Sequence, residues 1–227
     1  DSHKVEVKTK EQMFQVSKVS SNNNEIGNIL ADLFDKLGKD AAVVVSDGHE
    51  IETTYEVIKG MKYDRGWASP FFINDSDRQK STIDNPKVLV TDYKLQDPVQ
   101  WEEISKLLLA KDKGGLGITD LVIIADDVTG VPLEALVAIK LRYQLRLLAT
   151  KAPGFGQYKE HLKDIATYTG AKLISKDELM EFKDIKEEWL GSAEQVISGA
   201  DDTIIIGGKG DEKEIKSRVE MLKNQKK

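Results

Sequence analysis

Gly60-Met61-Lys62-Tyr63-Asp64-Arg65-Gly66-Trp67-Ala68-Ser69-Pro70-Phe71-Phe72-Ile73-Asn74 is the stretch from which the rest of the chain is best read. Three aromatics, Trp67, Phe71 and Phe72, stand close together in a chain that is only 7% aromatic. Gly66 and Pro70 argue for extended or turning backbone. Proline fixes its own φ and drives the residue before it out of the helical region. In an extended segment successive side chains point to opposite faces, so Phe71 and Phe72 part company. The pattern predicts a strand-like piece over residues 71–73 that turns at least one aromatic outward. Core packing is the ordinary fate of such a cluster, and an exposed apolar binding surface is the functional one.

Downstream, apolar runs alternate with amphipathic ones. Residues 87–91, 121–125, 145–149, 172–175 and 203–206 read as strands. Residues 99–110, 132–143 and 158–169 read as helices, with Pro132 in a first turn where its missing N–H does no harm. The alternation predicts a layered α/β domain, sheets flanked by helices, with some parallel pairing. Residues 111–120 hold three glycines and read as an exposed loop. Residues 211–227 read as a lysine-rich helix with Ile215, Val219 and Leu222 on one face. Upstream, Ser20-Ser21-Asn22-Asn23-Asn24 reads as a loop ending in a helix cap. Ile26, Ile29, Leu30, Leu33 and Leu37 then form one helical stripe, closed by Gly38. Residues 41–45 and 51–57 carry strand patterns, and Gly60 interrupts the second. Val5 to Val16 is partly apolar with no obvious partner.

Composition narrows the function. The 227 residues carry 33 Lys+Arg against 39 Asp+Glu, a net charge of −6. Arginine is confined to Arg65, Arg78, Arg142, Arg146 and Arg218. A nucleic-acid surface would need a basic stripe, which is missing, so nucleic acid is not the expected partner. There is no cysteine, which excludes disulfides, thiolate metal sites and cysteine nucleophiles. No apolar run approaches ~20 residues, so no membrane partner is expected. The opening Asp1-Ser2-His3-Lys4 does not read as a signal peptide.

Chemistry-bearing motifs are few. Asp126-Asp127 close a strand and Thr150-Lys151 close another. Carboxylates at the carboxyl end of a parallel strand can hold Mg²⁺ or accept a phosphoryl group. An α/β phosphoacceptor or Mg-dependent phosphoryl-transfer domain built on Asp126, Asp127 and Lys151 is the alternative reading. The bland one is solvated strand-end acids. Gly207-Gly208-Lys209-Gly210 lacks phosphate-loop spacing and reads as a tight turn, as does Lys151-Ala152-Pro153-Gly154-Phe155-Gly156. His3, His49 and His161 have no partner at metal-ligand spacing, and no serine sits in a nucleophile elbow. No catalytic residue and no metal ligand is assigned.

The stretch from Gly60 to Asn74 closely resembles the segment entering the apical domain of group I chaperonins, the GroEL family. Ile123-Ile124-Ala125-Asp126-Asp127-Val128 with Gly130, then residues 151–156, then Asp164-Ile165-Ala166-Thr167-Tyr168-Thr169-Gly170, Leu190-Gly191 and the strand and turn over residues 203–210 match in the same order. The similarity runs from about Val16 to the last residue. It implies a layered apical domain over residues 59–210. Residues 1–58 correspond to the first crossing of a small intermediate-domain portion, and residues 211–227 to the start of its return helix. The ATP-binding equatorial domain has no counterpart in these 227 residues. No enzyme activity and no cofactor are therefore expected of this fragment, and ATP and Mg belong to a full-length, ATP-hydrolysing parent.

The resemblance further implies a molecular chaperone that binds non-native polypeptides and the mobile loop of a GroES-type co-chaperonin in an apolar groove. Trp67, Phe71 and Phe72 match the family's aromatic positions, and Leu133, Val137 and Ala138 its second groove helix. Ile104 and Leu107 are the choice on the first. A promiscuous receptor for unfolded chains needs such an adaptable apolar trough. Gly60 and Gly210 are expected as hinges between the domains. The parent would be a homo-oligomeric ring in a bacterial cytoplasm or an organelle interior, the mitochondrial matrix or plastid stroma. The fragment alone is expected as a monomer. Val131 stands where the family usually has an acid and Ile139 where it has asparagine, so the groove edge is more apolar in this divergent sequence.

Overall fold

The computed structural model describes residues 7, 9–37, 60–154 and 158–225. The chain divides into two compact units, Asp1–Val57 and Ile58–Lys227. The strand patterns at 41–45 and 51–57, the stop at Gly38, His3, His49 and Phe155-Gly156 lie outside the described residues.

In the first unit, α1 (Lys10–Ser21) and α2 (Asn24–Leu37) form a helical hairpin. Thr9 and Gln12 cap α1 reciprocally: the Gln12 N–H donates to Thr9 Oγ1 and the Thr9 N–H to Gln12 Oε1, both at 3.2 Å. The helix runs on through Ser20 and Ser21, which the sequence places in a loop. It ends at Asn22, in the left-handed conformation at φ 50°. Asn23 Oδ1 then accepts from the Glu25 N–H at 2.8 Å and starts α2. Residues 10–16 therefore have a partner, since α1 packs on α2. Gly27 makes the crossing close, because a Cβ there would lie 3.0 Å from Lys18 Cα.

The second unit is mixed α/β. β3 (Lys87–Val90), β5 (Asp120–Ala125) and β7 (Arg146–Lys151) are parallel, in the order β7-β5-β3, and β8 (Gly191–Ser192) closes the edge antiparallel to β3. α3 (Pro98–Leu108) links β3 to β5, and α4 (Gly130–Tyr143) links β5 to β7. These are βαβ crossovers, which parallel pairing requires. Leu121, Val122, Ile123, Ile124 and Ala125 are all buried, as expected of a parallel strand covered on both faces. Each large side chain fully buried here contributes ~1.5–3 kcal/mol. β4 (Lys94–Leu95) and β6 (Asp127–Val128) add a short parallel pair. α5 (Tyr158–Thr169) packs on β3 and β8.

A second, antiparallel sheet has the order β1-β10-β9-β2, from Gly60–Tyr63, Thr203–Ile206, Gln195–Ser198 and Ser81–Asp84. Its strands alternate buried and part-exposed residues, so one face is covered. A buried hydroxyl pair joins the two sheets: Tyr63 Oη and Thr150 Oγ1 lie 2.7 Å apart. Within the antiparallel sheet, Thr203 Oγ1 donates to the Arg65 carbonyl at 2.7 Å. Burial pushes the Tyr63 phenol up to about 12 from an ordinary 10.0, against the opposing pull of its hydroxyl partners. The native state therefore holds this proton where the unfolded chain has lost it, and stability falls as pH rises from 10 toward 12. Tyr63→Phe is expected to remove that alkaline loss, up to about 2–3 kcal/mol, in urea titrations at pH 9 and pH 11.5. An unchanged alkaline limb in the variant would place the titrating group elsewhere.

α6 (Glu212–Gln225) packs on α5. Arg218 pins it there, donating from Nε to Asp164 Oδ1 and from Nη2 to Glu160 Oε2 at 2.9 Å. The turn before it is tightly wedged. A Cβ at Gly208 would lie 2.3 Å from the Tyr168 carbonyl, and one at Gly210 would lie 1.9 Å from the Thr167 carbonyl. Gly207 has φ +60° beside Glu194, whose carboxylate takes the Lys209 ammonium. Gly208 and Gly210 serve close packing against the end of α5. Gly210→Ala is expected to cost about 1–3 kcal/mol through this overpacking. A urea midpoint equal to the parent's would show that the end of α5 yields freely.

Candidate functional site

The aromatic stretch is not a strand. Residues 70–72 form a single 3-10 turn, capped by Ser69, whose Oγ accepts from the Phe71 N–H at 3.4 Å. A turn separates neighbouring side chains as an extended segment would. Phe72 is wholly buried, and Phe71 stands 62% exposed. Trp67 is half-buried, bridged to Thr150 and with its N–H on the Gly199 carbonyl at 3.0 Å. Its indole Nε1 is buried with no partner among the described residues.

Lys140 fixes the turn to α4. Its ammonium donates to the Phe71 carbonyl at 2.8 Å and the Ile73 carbonyl at 3.3 Å. Partial burial lowers its pKa below the ordinary lysine value. Leu133, Val137 and Lys140 recur at i, i+4 and i+7, so the two apolar residues share the flank from which Lys140 reaches the turn. Leu133 and Val137 are half-buried, and Ala138 is exposed beside them. Leu141, at i+4 from Val137, widens this apolar surface at 62% exposure, and Val131 is 42% exposed at the start of the helix. Leu136 and Pro132 are buried in the core, next to this flank on the helix.

α3 packs against α4. Ile104 and Leu107 are buried in the core, and with Phe72 they cannot line a groove. The cause is that the most apolar stripe of a helix is taken by the protein's own core. The half-buried flank runs through Trp101, Ser105 and Leu108, at i, i+4 and i+7. The phase is set at the start of α3: Pro98 opens it, and Gln100 Oε1 accepts from the N–H groups of Asp97 and Gln96 at 3.1 and 2.9 Å. The loop after α3 is less open than its glycines imply. The N–H groups of Leu116, Gly117 and Ile118 bond back to the carbonyls of Lys106, Leu109 and Leu107, and Ile118 is buried.

Three of the eight groove choices are thus core residues. Trp67, Phe71, Leu133, Val137 and Ala138 remain accessible, and Lys140 joins them through the turn. Lys140 left no signal in the sequence, because its role rests on two backbone carbonyls about seventy positions away in the chain. Of the two expected hinges, Gly60 begins β1 at a point where a Cβ would lie 2.9 Å from the Ile205 carbonyl, and Gly210 is the wedged position described above.

Of the strand-end acids, Asp127 is ion-paired with Lys151. Lys151 Nζ lies 2.8 Å from Asp127 Oδ1, which also accepts from the Val128 N–H at 2.9 Å. Asp126 is half-buried. Among the described residues there is no group of three or more His, Asp or Glu able to hold a metal ion. Nor is any helix among them long and apolar enough to cross a membrane. No protein-family model matches the chain.

Proposed function

We propose that this chain is the polypeptide-binding part of a group I chaperonin-type subunit. Residues 59–210 of its second unit would be the apical domain, residues 211–227 the start of the return helix, and its ligands non-native polypeptides and the mobile loop of a GroES-type co-chaperonin. The observation that carries this reading is Phe71. A large aromatic held 62% exposed on a turn tethered by Lys140, next to the Leu133–Val137 flank of a packed helix, has no use in a monomer's own core. Ordered motifs along most of the chain support the same reading.

Unfolded chains share exposed apolar side chains and little else, so their receptor must be apolar, rigidly mounted and indifferent to sequence. The aromatic turn and α4 meet those needs, since both are fixed by the buried sheet beneath them. Val131 and Ile139 extend the apolar rim, which favours more hydrophobic clients. ATP hydrolysis, Mg binding and ring assembly belong in this reading to a longer parent, in which Gly60 and Gly210 act as hinges. The test is titration of a reduced, permanently unfolded protein onto the chain, with Phe71→Glu as the control. Saturable binding that the substitution weakens supports the proposal. Binding indifferent to Phe71 removes it.

A further inference from the structure

We propose that Lys140 is a positioning residue for the client surface: its charged ammonium, not its bulk, clamps the aromatic turn so that Phe71 is held in register with Leu133 and Val137, and it does so without touching the client. The proposal rests on the reading of Phe71 as a client site.

The turn is anchored unevenly. Phe72, wholly buried, sets its depth in the core. Just before it the Ala68 N–H donates to the Ala149 carbonyl at 2.7 Å, and just after it Asn74 is bonded to Lys80 and Thr82. Between those points the Phe72 and Ile73 N–H groups close the turn on itself, onto the Ser69 and Pro70 carbonyls at 3.1 Å. Among the described residues, the two bonds from Lys140 are the only hydrogen bonds that join residues 69–73 to another element. They are made to the Phe71 and Ile73 carbonyls, acceptors that the end of a turn leaves without a partner of its own. The Phe71 carbonyl also lies in the peptide plane next to the Cα from which the Phe71 ring departs. Fixing that plane fixes the direction of the ring.

Charge suits the lysine to this task, because a hydrogen bond from an ionised donor is about twice as strong as a neutral one. No described carboxylate pairs with the Lys140 ammonium, and partial burial lowers its pKa with no opposing charge. Its charge is answered by the two carbonyl oxygens, so the lysine has no separate ionic duty to explain its place. The clamp also comes from the right element. Lys140 stands in line with Leu133 and Val137 on α4, at i+7 and i+3 from them, so one helix carries half of the apolar surface and holds the other half against it. An aromatic free to swing would have to be ordered when the client binds, and that ordering lowers the affinity.

The chain has no cysteine, so Lys140→Cys provides a single thiol. Alkylation with 2-bromoethylamine gives an aminoethyl thioether that restores an ammonium at lysine's reach, and 1-bromopropane gives a propyl thioether of the same length without charge. Two quantities are followed on the full chain: amide hydrogen exchange at Phe72 and Ile73 with no client present, and affinity for a reduced, permanently unfolded protein. The aminoethyl form should match the parent in both. The propyl form should keep the parent's protection in β5, exchange about tenfold faster at Phe72 and Ile73, and bind the unfolded protein about tenfold more weakly, the loss expected of a charged hydrogen-bond donor. Lys140→Arg and Lys140→Met give the same comparison without alkylation. Unchanged exchange in the propyl form, or equal affinity of the two thioethers, overturns the proposal. Loss of β5 protection in the propyl form overturns it as well, since Lys140 would then be a general stability residue. Failure of the parent itself to bind contradicts the reading of Phe71 as a client site and with it any role of Lys140 toward a client, while the exchange still decides whether the charge clamps the turn.

Discussion

Replacing Phe72 by alanine is expected to lower the stability of the chain by about 3–5 kcal/mol, the range for a large aromatic removed from a packed core. Phe72 is 0% exposed and belongs to the same cluster as Ile104, Leu107 and the β5 residues. Its neighbour Phe71 offers the internal control. At 62% exposure, Phe71→Ala should change the urea midpoint little, within about 0.5 kcal/mol. Two adjacent phenylalanines thus separate a core role from a surface role within one turn of backbone. A stable Phe72→Ala beside a destabilised Phe71→Ala would reverse the assignment and invert the proposed surface.

The sequence made the parallel sheet legible because its strands are buried on both faces. Runs such as Leu121-Val122-Ile123-Ile124-Ala125 need no periodicity to be read. The antiparallel sheet was harder. Of its four strands only β10 (Thr203–Ile206) stood out, because Ser81-Thr82-Ile83-Asp84 and Gln195-Val196-Ile197-Ser198 are short and half polar. Their pairing is set by partners more than a hundred positions apart in the chain, as with Ser81 and Ser198. α1 was missed for a different reason. Its capping box at Thr9 and Gln12 is local, but its apolar residues Val16 and Val19 are exposed and mark no stripe. In the candidate site, α4 was placed correctly because its outward flank is itself apolar. On α3 the same logic chose Ile104 and Leu107, and the core had the stronger claim on them.

The second large effect is expected at Phe71 itself. Phe71→Glu puts a charge where a client's apolar side chain would have to desolvate it. The expected loss is about 2 kcal/mol or more of binding free energy, roughly thirtyfold in affinity, as for a central anchor residue. Val137→Glu on the facing flank of α4 should act similarly, and the two together should fall short of additivity because they touch the same ligand. Neither change should unfold the chain, since Phe71 is exposed and Val137 half-buried. Far-ultraviolet circular dichroism and the urea midpoint establish that before any affinity is compared. Full binding by a folded Phe71→Glu, Val137→Glu double variant would put the ligand surface somewhere other than the aromatic turn and α4.

The central claim is that this apolar surface recognises the unfolded state of a protein and not its sequence. It is tested most directly by fluorescence anisotropy with one labelled protein in two forms, native and disulfide-intact or reduced and permanently unfolded, each titrated with the unmodified chain. The account predicts saturable binding of the unfolded form and none of the native form at the same concentrations. Equal binding of both forms, or no binding of either, would contradict it.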